Sequence, residues 1–160
     1  MMAHNADFFL QIPAPPHEAV REQRCTASIR NFHKTNGESM NNEQIITEFI
    51  EAWSSLDAEK LTTYFTEDGT YYNMPIQPVT GHDNLKAFIQ NFLASWEKTD
   101  WDILNILAQG DLVMAERVDR TIVEGRKVDL PCVGVFEMQN GKIKIWRDYF
   151  DLATFTREAD

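Results

Sequence analysis

Residues 112–149 read LVMAERVDRTIVEGRKVDLPCVGVFEMQNGKIKIWRDY, and how this stretch is divided decides the fold. It breaks at EGR and at QNGK, each of which contains a glycine, and Asn140–Gly141 is a strong two-residue hairpin signal. The pieces between the breaks are rich in β-branched and apolar residues with a period of two, which predicts strands over 112–123, 127–138 and 142–149. A further strand over 101–108 precedes them, joined through QGD. The four form an antiparallel meander. Within the second strand, side-chain alternation puts Ala115, Arg117, Asp119, Thr121 and Val123 on one face and Glu116, Val118, Arg120 and Ile122 on the other. One face thus carries an arginine beside an aspartate, between small and apolar neighbours. In the last strand Asp148 shares its face with Trp146 and Phe150.

Upstream the period is helical. Asn41 and Gln44 have the spacing of a capping box, and Ile45, Ile46, Phe49, Ile50 and Trp53 mark one face of the helix that follows. Asp57 can cap a second, short helix carrying Leu61, Tyr64 and Phe65. Gly69 precedes a strand, TYYN, which Met74–Pro75 and Pro78 end. In GHDNLKAFIQNFLASWEK, Leu85, Phe88, Ile89, Phe92, Leu93 and Trp96 recur at helical spacing, with Asp83 as the expected N-cap. A short helix is expected from Leu152. Helices followed by a meander predict an α+β fold: a curved, mainly antiparallel mixed sheet with helices packed on one face, enclosing a cone-shaped pocket. Residues 1–40 contain PAPP and no sustained period, and are expected to form a partly ordered arm before a single catalytic domain at 41–160.

Composition narrows the function. The net charge is −10 and the pI about 4.8, which argues against nucleic acid and anionic membrane as partners. No apolar run is long enough to span a bilayer, and the N-terminus lacks the basic start and apolar stretch of a signal peptide. Cys25 and Cys132 are the only cysteines, which suits reduced thiols in a cytoplasmic protein. His4, His17, His33 and His82 are scattered with no metal-ligand spacing, and there is no Gly-rich phosphate loop.

If the meander is right, Arg117, Asp119 and Asp148 lie on neighbouring strands, and Tyr71 and Asn73 share a face of theirs. A guanidinium has donors enough to bind two carboxylates at once. Two acids so held do not titrate independently, and this supplies a general acid and a general base in one pocket. Tyr71 and Asn73 add neutral hydrogen-bonding groups that could orient a water. Each member has a plainer reading: a surface ion pair for Arg117–Asp119, a solvated sheet end for Asp148, a strand end for Tyr71 and Asn73. The argument lies in the combination. Leu130 and Cys132 share one side of their strand; Leu130, Trp146, Phe150 and Phe92 are the candidate apolar contacts for a substrate.

YYNMP, AERVD and WRDYFD, in this order and spacing, resemble the limonene-1,2-epoxide hydrolases, which share the fold of nuclear transport factor and ketosteroid isomerase relatives. The resemblance runs from about Asn41 to the C-terminus. It implies that Asp148 is the base that deprotonates a water, that Tyr71 and Asn73 hold this water, that Asp119 protonates the epoxide oxygen, and that Arg117 bridges both aspartates. It further implies a small terpene or cyclic epoxide as substrate, a vicinal diol as product, no covalent intermediate, no metal or organic cofactor, and a homodimer paired through the sheet. Two alternatives remain on the same fold: a proton-transfer enzyme of the isomerase or cyclase type, and a non-catalytic binder of apolar ligands.

Overall fold

The computed structural model describes residues 41–156. The expected N-terminal arm at 1–40 lies outside the described residues. Helix α1 (Asn42–Ala52) begins with the anticipated capping box: the Asn41 side chain accepts from the Gln44 N–H, and the Gln44 side chain accepts from the Asn41 N–H. A 3₁₀ turn (Trp53–Ser55) and the short helix α2 (Ala58–Thr62) follow, the latter capped by Asp57 as expected. Then come β1 (Phe65–Asn73), β2 (Val79–Thr80), α3 (His82–Leu93), and the long strands β3 (Trp96–Gln109), β4 (Leu112–Val123), β5 (Arg126–Gln139) and β6 (Lys142–Phe150). A last short helix, α4, spans Leu152–Thr156.

The six strands form one open sheet in the order β2-β1-β6-β5-β4-β3. Strands β3 to β6 are the expected antiparallel meander, and only β1 runs parallel to its neighbour, β6. Asn140 and Gly141 both have positive φ, as do Glu124 and Gly125, so both hairpins close with left-handed turn residues that match the twist of their strands. Alternation along β4 is as expected: Val113, Ala115, Arg117, Asp119 and Thr121 are buried.

The inner face packs on the helices through an aromatic core. Phe49 of α1 meets Trp146, Phe65 and Phe136 edge to face, and Trp146 stacks on Tyr71 at 4.0 Å and on Phe136 at 5.5 Å between centroids. Such pairs add about 0.5–1.5 kcal/mol each beyond their buried area. A smaller apolar group, Val128, Leu130 and Cys132 with Phe150 and Val123 against it, forms a separate cluster.

Five local expectations need correction. Phe65 and Tyr64 are not on the second helix, which ends at Thr62: Tyr64 lies in the turn that follows, and Phe65 opens β1. Trp96 is not on the α3 face; the helix stops at Leu93, and Trp96 opens β3. Its burial is real, but it comes from β3 packing against Trp53 and Phe92, which mimics one more helical turn in the sequence. The residue before α3 that serves as its N-cap is Gly81, not Asp83, which lies in the first turn, where its charge favours the helix dipole. Gly69 lies inside β1, at a register shift against β6, and not ahead of the strand. Strand β2, only two residues long, has no signal of its own and exists through its pairing with Thr70 and Tyr71.

Candidate active site

Side-chain alternation brings Arg117 and Asp119 of β4 to the inner face, and sheet order brings Asp148 of β6 to the same face with one strand, β5, between them. Arg117 is fully buried. Its Nε donates to Asp119 Oδ1 at 2.8 Å, and one terminal nitrogen donates both to Asp119 Oδ2 at 3.2 Å and to Asp148 Oδ2 at 2.6 Å. One guanidinium therefore ties together two acids from different strands. The surface ion-pair reading of Arg117–Asp119 and the solvated reading of Asp148 are both excluded, since the two carboxylates are 6% and 3% exposed.

The parallel pairing of β1 with β6 adds the other two residues. Asn73 is the register partner of Asp148, and Tyr71 that of Trp146. All five candidate catalytic residues are thus buried on one face of three neighbouring or near-neighbouring strands. Asp148 Oδ1 and Asn73 Oδ1, on paired positions, are buried without a hydrogen-bond partner at close geometry, although the Trp146 indole N–H, itself unpartnered, lies near enough to Asp148 to favour its charged form.

Charge decides how the site holds protons. Two ionised carboxylates and one arginine would leave a net negative charge in the interior, and one shared proton makes the group neutral. Burial pushes the Asp119 carboxyl up, the Arg117 cation opposes this, and the Asp148 charge adds to it, leaving the group at about 6. Burial raises Asp148 as well, with Arg117 again opposing. Burial alone would lower the Arg117 pKa, but the two aspartates outweigh it and hold the guanidinium well above its ordinary value. Burial, followed by the negative charge of Asp148, raises the Tyr71 phenol well above its usual range, so it is a neutral hydrogen-bonding group.

The surrounding walls hold the arginine flat. Trp101 lies 4.6 Å from the guanidinium carbon and Trp146 5.6 Å, both within cation–π range. Trp101 is fixed by stacking on Trp53 at 4.5 Å and by its indole N–H donating to Thr99 Oγ1 at 2.8 Å. Cys132 donates its thiol hydrogen to Asp119 Oδ2 at 3.4 Å. Asp119, Cys132 and Asp148 bring potential metal-ligand atoms within 4.8 Å of one another. That set suits a metal poorly: the cation between the carboxylates is already Arg117, and burial raises the Cys132 pKa and keeps it a thiol.

Of the candidate substrate contacts, Leu130 and Phe150 sit in the small apolar cluster beyond the acids. Phe92 is half-buried on α3, between Phe88 and Trp96. Trp146 is fully buried in the aromatic core, stacked on Tyr71 and Phe136, where it orients the site's own side chains. The sequence alone assigned no role to Trp101 or to Gly134. A mid-strand glycine in LPCVGVFEM was a usable signal, because such a residue marks a close approach of other atoms to the backbone.

The chain is 28% identical over 104 residues to epoxide hydrolase EphG of Mycobacterium tuberculosis, spanning 65% of this chain and 69% of that protein. Among solved structures, an LEH-like epoxide hydrolase of M. tuberculosis superimposes with a TM-score of 0.63 at 26% identity, covering 71% of this chain and 84% of that one. A protein of ketosteroid isomerase-like fold from Catenulispora acidiphila, solved with trimethylamine, matches with a TM-score of 0.65 at 24% identity, over 69% of this chain and 88% of that one, and shows the shared fold. The sequence model of the limonene-1,2-epoxide hydrolase catalytic domain matches residues 40–159, most of the chain, and the chain belongs to that family.

Proposed function

We propose that this chain is an epoxide hydrolase that adds water to a small apolar epoxide, terpene or cyclic, and releases a vicinal diol in one step. The observation that carries the reading is the single arginine bonded to two buried acids, with two buried acceptors, Asp148 Oδ1 and Asn73 Oδ1, left open beside them. A water has two hydrogens to give, and these acceptors stand on register-paired residues. With the Tyr71 phenol, they hold the water for attack on a ring carbon.

In the proposed step, Asp148 takes a proton from the water as its oxygen bonds to carbon. The carbon–oxygen bond of the ring breaks, and Asp119 gives its proton to the leaving oxygen. The atoms balance as epoxide plus water to diol. The proton left on Asp148 returns to Asp119, and Arg117 keeps both carboxylates near enough to share it. An epoxide releases ring strain on opening but would expel an alkoxide; a positioned acid removes that penalty. No metal or organic cofactor takes part. Leu130, Phe150 and Phe92 supply apolar contact for the substrate.

The test is a single turnover of limonene oxide and of cyclohexene oxide in ¹⁸O-water. Labelled diol in the first turnover is expected. Unlabelled diol would mean that an enzyme carboxylate attacks first, and no diol from either substrate would favour the isomerase-like or binding alternatives. The pH dependence has a definite sign. Asp119 must carry a proton to act as acid and sits at about 6, so kcat/KM falls as the pH rises past about 6. Asp148 must be ionised, so activity also falls on the acid side. A pH–rate profile flat between pH 5 and 8 would remove the acid/base assignment.

No helix among the described residues is long and apolar enough to cross a membrane. A cytoplasmic setting remains a proposal from the cysteine count. Assembly as a homodimer through the outer sheet face is supported by the exposure of Leu107, Leu112, Met114 and Tyr149 on β3, β4 and β6. Leu107→Glu with Met114→Glu is expected to halve the mass seen in sedimentation; a wild-type protein that already sediments as a monomer would refute the dimer.

A further inference from the structure

Strands in a sheet lie about 4.8 Å apart. Arg117 on β4 must therefore lay its side chain across the whole width of β5 to reach Asp148 on β6. Register locates the crossing. Arg117 is opposite Cys132, and Asp148 is opposite Gly134, so the diagonal from one to the other passes between these two β5 residues. Gly134 is free of the positive φ that explains several other glycines in the chain. Its requirement is for space. A β-carbon added there would lie 2.8 Å from Arg117 Nη1, and 2.7 Å and 2.9 Å from ring atoms of Phe136. Arg117 Nη1 has no hydrogen-bond partner, so no bond to the protein holds that edge of the guanidinium. On other sides the guanidinium meets Trp101 and Trp146, themselves packed on Trp53 and Tyr71. A guanidinium pushed from Gly134 has these rings to displace.

We propose that Gly134 is a positioning residue: its bare backbone is the floor over which Arg117 spans β5, and this clearance keeps Asp119 and Asp148 on one guanidinium. The proposal rests on the reading of Asp119 and Asp148 as acid and base, and makes β5 a working part of the site although it contributes no acid or base.

The test is Gly134→Ala, with kcat, KM and the full pH–rate profile measured on an epoxide that the wild type opens. A displacement of about 1 Å lowers kcat by about 10²-fold with KM little changed. Both aspartates lose part of their cationic partner, so both limbs of the pH profile move to higher pH. A packing defect that left Arg117 in place would lower the amount of active enzyme without moving the limbs. Because the added methyl also meets Phe136, Gly134→Ala with Phe136→Leu is made alongside. This pair relieves the ring contact and leaves the arginine contact, so the limbs are expected to stay shifted.

A wild-type pH profile in either variant overturns the proposal. So does failure of both variants to fold, because Gly134 would then be needed by the packing of β5 and not by the guanidinium. Asp148→Asn separates the two levels of inference. If that variant keeps near-full activity, the acid/base reading itself fails; if it is inactive while Gly134→Ala keeps its limbs unmoved, only the role of Gly134 fails.

Discussion

Asp148→Asn is expected to abolish diol formation while leaving the protein folded. Loss of a positioned base costs about 10²–10⁴-fold in rate. An amide cannot take the proton that the attacking water must lose. The same holds for Asp119→Asn, for the opposite reason: an amide has no acidic proton to give the epoxide oxygen. Folding survives for an electrostatic reason. With both carboxylates ionised, the site carries two negative charges against the single positive charge of Arg117, all buried. Replacing either aspartate by its amide leaves one carboxylate for one arginine and removes a like-charge repulsion. Asp148→Asn should therefore match or exceed the wild-type Tm at pH 8, whereas Asp119→Asn should gain less, because its amide nitrogen would face donors from Arg117 or Cys132. Chromatography of the diol and thermal unfolding check both halves. Either variant retaining near-wild-type turnover would remove its residue from the mechanism.

Arg117 substitution has the largest expected effect on stability. Arg117→Leu keeps apolar bulk beneath Trp101 but leaves two buried carboxyl groups without their cation. Breaking a buried ion pair from one side costs about 3–5 kcal/mol. The cost depends on pH, and the sign follows from proton counts. Asp119 is raised in the folded protein from 3.8 to about 6, and Asp148 is raised too, so between these values the folded state binds more protons than the unfolded one. Stability from these groups is thus greatest below about pH 4 and declines as the pH rises through the folded-state values. Without Arg117 both carboxyls move further up, so the loss begins at the same pH and continues higher. Urea unfolding of the wild type and Arg117→Leu from pH 4 to 8 should show curves that diverge as the pH rises. Equal stabilities at pH 8 would show that the ion network contributes nothing to the fold. Arg117→Lys should fold better but stay inactive, because an ammonium cannot bond both carboxylates in the fork geometry.

The gross architecture was legible because its signals are local. Period two in residues 112–149, glycines at the hairpins, and the Asn41–Gln44 box all act over a few residues, and each produced the expected element. The errors occurred where a local pattern had two explanations. Trp96 continues the helical spacing of α3 by coincidence, and only the packing of β3 on Trp53 shows which period it obeys. Strand β2 is too short to have a pattern and exists through its partner.

The candidate site divides the same way. Which side chains share a face is a property of each strand alone, so the pairs Arg117–Asp119, Tyr71–Asn73 and Trp146–Asp148 followed from the sequence by alternation. Whether those faces point inward, and which strands lie side by side, depends on contacts between residues far apart in the chain. The parallel insertion of β1 beside β6 sets Asn73 against Asp148, across 75 positions of sequence, and no local signal encodes it. Burial is likewise a property of the whole fold, and burial beside Asp148 raises the pKa of Asp119 above that of an ordinary aspartate despite its pairing with Arg117. The sequence by itself determined the chemistry available and the face on which each group stands. Tertiary structure decided that these groups meet in the buried interior, with the Gly134 backbone close against Arg117, because low dielectric and close approach arise only when distant strands pack together.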